Sequence, residues 1–244
     1  SWRVIACSEY MAGEIREFFG CPADKIDVIP NGVDPTPFQR VAQEDLRGFR
    51  AMYALPDEQI VFNVGRVVYE KGVHVLVEAA PKVLAQTPAA KFVIAGRGPM
   101  VEQLRHRAWE LGVGEKILFA GFISDEDRNR LFHLADCAVF PSLYEPFGIV
   151  ALEAMAAKCP VVVSEVGGLK EVVKHAETGI TVYPDNPDSL AWGIVHTLSR
   201  PDWARQRAEN AYRMVLELYN WDRIARLTVD VYKRVVEERR HVDW

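Results

Sequence analysis

The sequence predicts an α/β protein: a doubly wound, six-stranded parallel sheet of Rossmann-like type, with a small βαβ piece in front of it and helices behind. Three observations predict this. Six short apolar runs, mostly β-branched or aromatic, recur between Ile60 and Val182. Longer segments of helical period separate them, and glycines follow several of the runs directly. Buried parallel strands read as continuous apolar runs, and strands alternating with helices build a sheet covered on both faces.

Taken in order, the first 45 residues stand apart. RVIAC, EYMAGEIREFFG and KIDVIP read as strand, helix and strand, and NGVDPTPF is rich in turn residues. The six runs of the main sheet are residues 60–64, 91–95, 116–120, 137–140, 160–163 and 179–182. GVHVLVEAAPKVLAQ and PMVEQLRHRAWELG carry the helical period between the early ones. Two long helical patterns, 201–218 and 221–240, exceed what a six-stranded sheet needs. Both ends of the chain therefore read as pieces that belong against something missing.

Composition excludes several function classes. A chain of 244 residues, 49% hydrophobic, can bury one sizeable core. A formal charge of −5 with no dense Lys/Arg run argues against nucleic acid as a partner. Cys7, Cys21, Cys137 and Cys159 form no CxxC pair and read as reduced thiols. No stretch approaches the ~20 apolar residues of a transmembrane segment, and no signal-peptide pattern opens the chain, so a cytoplasmic location is expected.

In a doubly wound sheet the right-handed crossovers gather the loops after the strands along one edge, where ligands bind. Two stretches on that edge carry chemistry. In SLYEPFGIVALEAMAA, Pro146 and Gly148 break the chain, and a helix is expected from Ile149 to Ala157. The amides of Phe147, Gly148, Ile149 and Val150 would then open that helix as an anion site. Glu145 precedes it and Glu153 lies within it; a carboxylate beside an anion site is explained most simply by a sugar diol. In NVGRVVYEKGV, Arg66 and Lys71 bracket a turn and could neutralise a diphosphate.

The GR-x4-KG stretch from Gly65 to Gly72 and the E-x7-E stretch from Glu145 to Glu153 resemble the retaining glycosyltransferases of GT-B fold that include glycogen synthases and sucrose-phosphate synthases. The resemblance implies a nucleotide-sugar donor domain over residues 41–220. It makes residues 1–40 the end of an N-terminal acceptor domain with its linker, and 221–244 a helix crossing back to it. By the same resemblance, Arg66, Lys71 and Glu145 are catalytic: the two cations hold the diphosphate, and Glu145 faces the transferred sugar. Gly65, Phe122, Phe147, Gly148, Ile149, Val150 and Glu153 bind the donor, Glu153 through the ribose hydroxyls and the Gly121–Ile123 loop beside the base. The implied reaction moves a hexose from a nucleoside diphosphate sugar, such as UDP- or ADP-glucose, to an acceptor hydroxyl with retention, and needs no metal or other cofactor. Partners are the nucleotide sugar and the missing N-terminal domain, without which the chain is expected to transfer little. A non-catalytic nucleotide-sugar-binding module and a nucleotide-sugar epimerase of the same architecture are the alternatives.

Other residues read more plainly. Asp125, Glu126 and Asp127 follow Ser124 and open a helix, a capping cluster rather than a metal site. The six histidines show no metal-ligand spacing. Gly96 to Pro99 is too short for a dinucleotide fingerprint. Gly167 and Gly168 fit either a tight turn or a ligand loop.

Overall fold

The chain opens with strand β1 (Val4–Ala6), helix α1 (Glu9–Phe19) and strand β2 (Ile26–Val28), and the two strands pair in parallel. The computed structural model describes residues 2–240; His241 and the rest of the 221–244 segment beyond Arg240 lie outside the described residues. Ser8 caps α1 by accepting from the Met11 amide at 3.0 Å, and Gly20, in left-handed conformation, ends it. Helices α2 (Thr36–Val41) and α3 (Arg47–Arg50) then lead into the main sheet.

That sheet alternates β3 (Gln59–Val64), α4 (Val73–Leu84), β4 (Ala90–Ala95), α5 (Val101–Glu110), β5 (Ile117–Gly121), α6 (Asp125–Leu134), β6 (Cys137–Phe140), α7 (Ile149–Ala156), β7 (Val161–Ser164), α8 (Leu169–Val172) and β8 (Ile180–Val182). The order across it is β5-β4-β3-β6-β7-β8, all parallel. Every predicted strand is present. The third starts one residue late because Gly114–Lys116 form a tight helical turn ahead of it.

Alternation along β3 sends side chains to two separate cores. Ile60 and Phe62 pack with Leu131, Phe132, Leu152 and Met155 on one face. Val61 packs with Val75, Val77 and Leu104 on the other. Cys137 and Cys159 are buried, Cys7 and Cys21 half-buried, and all four are free thiols. Burial pushes the Cys137 and Cys159 thiols far up, as expected of inert packing groups.

Helix α9 (Pro187–Leu198) covers the second face, and α10 (Pro201–Leu218) and α11 (Trp221–Arg240) close the described chain. The two chain ends pack on each other. Ile224 and Val231 of α11 cluster with Ile29 just after β2. Arg3 bridges Asp27 at 2.6 Å and Glu238 at 2.8 Å, and Arg234 also reaches Asp27. The Arg3 guanidinium holds the Asp27 carboxyl below its usual range. The βαβ piece is tied to the main sheet as well: Glu171 of α8 accepts the Glu9 and Tyr10 amides, each at 2.9 Å, a charge-complementary cap for α1. Among the described residues no helix is long and apolar enough to cross a membrane.

Candidate functional site

The strand order reverses direction between β3 and β6, so their following loops diverge and leave a crevice at the carboxyl edge. Arg66 and Lys71 follow β3, and Glu145 follows β6. The two loops are tied together by backbone. The Glu70 carbonyl accepts the Leu143 amide at 2.8 Å and the Tyr144 amide at 3.3 Å. Ser164 Oγ donates to the Ser142 carbonyl beneath them.

Across this junction Lys71 Nζ meets Glu145 Oε2 at 2.7 Å, with both side chains mostly shielded from solvent, and Ser142 Oγ lies 3.3 Å from the same oxygen. Arg66, by contrast, is exposed and lacks an ion-pair partner among the described residues. It lines a cavity of about 290 Å³ with Gly65, Arg97, Phe122, Asp125 and Arg128. Phe122 is 72% exposed there, with the Arg97 guanidinium 5.6 Å above its ring. The glycines on this edge permit close loop packing: a Cβ on Gly96 would collide with the Gly65 carbonyl.

Helix α7 begins at Gly148, whose φ of 102° few other residues adopt, and no side chain caps it. Its first amides therefore face the crevice edge without a competing side-chain acceptor. Ile149 is exposed and Val150 half-buried, whereas the Phe147 side chain is in the core against Tyr219, so Phe147 offers only backbone. Gly167 and Gly168 belong to this construction. The Gly168 amide donates to the Glu145 carbonyl at 2.9 Å, and a Cβ on Gly167 would strike that same carbonyl. Ser8 Oγ of the βαβ piece donates to the Pro146 carbonyl at 2.6 Å, which fixes the loop from the opposite side.

Glu153 lies one helical turn inside α7, paired with Arg128 of α6 at 3.4 Å. Sequence reasoning missed Arg128. It pairs also with Asp125 at 2.8 Å, and its Nε is buried without a partner among the described residues. Ser124 caps α6 through the Asp127 amide, so the acidic cluster opens a helix as expected. Arg128, one turn further on, lines the cavity together with Asp125.

Burial raises the Glu153 carboxyl pKa, with Arg128 opposing and Asp125 adding to the rise. A raised carboxyl favours folding while protonated; that contribution is complete below the unfolded value and is lost as pH rises through the folded value. Glu153→Gln should therefore raise Tm relative to the parent near pH 8 and lose that advantage near pH 4, around the unfolded glutamate value of about 4.3. Equal Tm differences at both pH values, in parallel thermal melts, would count against it.

Residues 49–214 match the family described as glycosyl transferases group 1, and residues 1–36 match the description glycosyltransferase family 4. The chain belongs to the group 1 glycosyltransferases. This glycosyltransferase is 46% identical over 241 residues to an uncharacterized glycosyltransferase of Methanocaldococcus jannaschii, a match covering 97% of this chain and 61% of that protein. It is 37% identical over 229 residues to a glycogen synthase of Mycobacterium tuberculosis, covering 94% of this chain and 53% of the other. The chain thus spans little more than half the length of these relatives. The sucrose-phosphate synthase structure from Thermosynechococcus elongatus superposes with a TM-score of 0.81 at 30% identity, covering 96% of this chain and 58% of that one. The fold is that of a GT-B glycosyltransferase C-terminal domain.

Proposed function

We propose that the chain carries the nucleotide-sugar-binding domain of a retaining glycosyltransferase that moves glucose from a nucleoside diphosphate sugar to an α-glucan hydroxyl. The observation that carries this reading is the convergence at one switch point of the Lys71–Glu145 pair, Arg66, which has no ion-pair partner among the described residues, and the start of α7, which no side chain caps. Residues 41–220 form the donor domain, 1–40 the end of an acceptor domain with its linker, and 221–244 the returning helix.

In this reading the diphosphate lies between Arg66, Lys71 and the α7 amides. As the bond from the anomeric carbon to the diphosphate breaks, the negative charge gathering on the leaving oxygen meets cations and dipoles already in place. No metal is needed for that charge. Glu145 accepts hydrogen bonds from the transferred sugar once Lys71 turns to phosphate. Glu153 accepts the ribose hydroxyls, releasing Arg128 toward the base, which rests near Phe122. Retention follows from the resemblance of both motif stretches to retaining enzymes. The acceptor site falls to the portion that the longer relatives possess beyond the match, so this chain alone transfers little, and a cytoplasmic setting suits its composition.

Calorimetric titration with UDP-glucose, ADP-glucose and GDP-mannose tests the reading. One donor should bind saturably, and Arg66→Ala and Glu153→Ala should each weaken it about tenfold to a hundredfold, the range for a lost charge-assisted hydrogen bond. A folded chain that binds none of the three would overturn it.

A further inference from the structure

Two grooves with exposed aromatic side chains share no lining residue with the Arg66 cavity. The first, of about 410 Å³, opens at the end of β8 and is lined by Glu165, His175, Thr181, Tyr183, Ser189 and Trp192. Tyr183 is 69% and Trp192 50% exposed. Exposed aromatics scattered singly are ordinary; two on one concave surface are not. Trp192 is also held in place: His175 stacks near it at 6.5 Å and 17°, and His196 flanks it at 5.2 Å. His175 is itself fixed by Thr181, at 3.0 Å.

The second groove, of about 610 Å³, runs between the starts of α4 and α5 and includes Tyr69, His74, Glu78, Gln103 and Arg107. Tyr69 stacks on His74 at 4.8 Å and 8°, which covers one ring face and leaves the residue 58% exposed. Glu78 of α4 and Arg107 of α5 pair at 2.6 Å in the same groove. His74 of the second groove places its Nε2 3.8 Å from Asp185, two residues beyond Tyr183 of the first. Tyr69 of the second groove is two residues from Lys71 in the chain.

We propose that these grooves form a rim that binds an extended α-glucan chain outside the catalytic crevice. The choice of a glycan rests on the glycosyltransferase reading, and the chemistry of the walls supports it. A pyranose has flat C–H faces that lie on aromatic rings and a belt of hydroxyls that donate to carboxylates and accept from planar N–H groups. The first groove offers rings, hydroxyls and Glu165, which has no ion-pair partner among the described residues, and no Lys or Arg lines it. That lining disfavours phosphate and suits a neutral polyol. Rigid aromatic platforms bind such a ligand with little loss of side-chain freedom. A chain lying over Trp192, Tyr183 and Tyr69 leads toward Lys71, which keeps a polymeric acceptor near the reaction between transfers.

The test is electrophoresis of the chain through native gels with and without glycogen, paired with calorimetry using the same donor sugars. Glycogen should retard the chain, and Trp192→Ala should weaken the retardation about tenfold, the loss of one stacked ring. Tyr69→Ala should act likewise, and Tyr183→Ala, at the most exposed ring, serves should Trp192→Ala fail to fold. Donor binding should be unchanged in Trp192→Ala and Tyr183→Ala. Absence of retardation, or retardation indifferent to all three substitutions, would overturn the rim. Ring-dependent retardation by a chain that binds no nucleotide sugar would uphold the rim and sink the donor reading instead.

Discussion

On the proposed donor-domain reading, Lys71→Met in the full-length protein is expected to reduce glycosyl transfer by about 10²–10³-fold, the scale for removing one preorganised charge from a developing anion. Methionine keeps the stem and its packing, so the fold should persist. Two effects add. The leaving diphosphate loses a cation, and Glu145, now without its partner at 2.7 Å, presents an uncompensated carboxylate to that same diphosphate. A like charge beside an anion disfavours both binding and departure. Lys71→Met should therefore also weaken donor binding, whereas Lys71→Arg should restore part of the binding but less of the turnover, because the planar guanidinium replaces a compact ammonium. Steady-state rates at saturating donor measure this; turnover within about tenfold of the parent would show that Lys71 only holds Glu145 in place.

How legible such a site is in sequence depends on whether a residue acts through local or tertiary geometry. Lys71 and Glu145 were legible because each sits at a fixed offset from a strand whose apolar run is unmistakable, and the sheet brings those strand ends together. The start of α7 was legible for the same reason, since a proline and a glycine mark it. Arg128 was not. Its contact with Glu153 comes from how α6 packs against β3, and nothing in the run Asp125 to Asp127 distinguishes it from an ordinary surface arginine. Docking of α11 on the first βαβ unit was implied by the family resemblance and not by periodicity, because its apolar positions name a face but not its partner. Tyr69 lies far in sequence from Tyr183 and Trp192, and the grooves they line exist only after α4 and α9 pack.

Gly72→Ala should destabilise the domain by about 3 kcal/mol, near the upper range for a single strained backbone position. Gly72 has φ of 65°, and a Cβ there would overlap the Pro141 carbonyl, the backbone at the start of the Glu145 loop. The conformation alone costs an alanine only about 1–2 kcal/mol. Gly20 isolates that part: its φ is 61° and nothing lies within 4 Å of its added Cβ, so Gly20→Ala should cost no more than the conformational share. The difference between the two substitutions, read from urea denaturation, reports the contact. Relief of that contact must push the Lys71 turn away from Pro141, and this lengthens the Lys71–Glu145 pair and weakens donor binding along with stability. Equal costs at Gly72 and Gly20 would mean that the two loops separate freely. The close approach permitted by a missing side chain would then not be what sets the geometry of the charged pair.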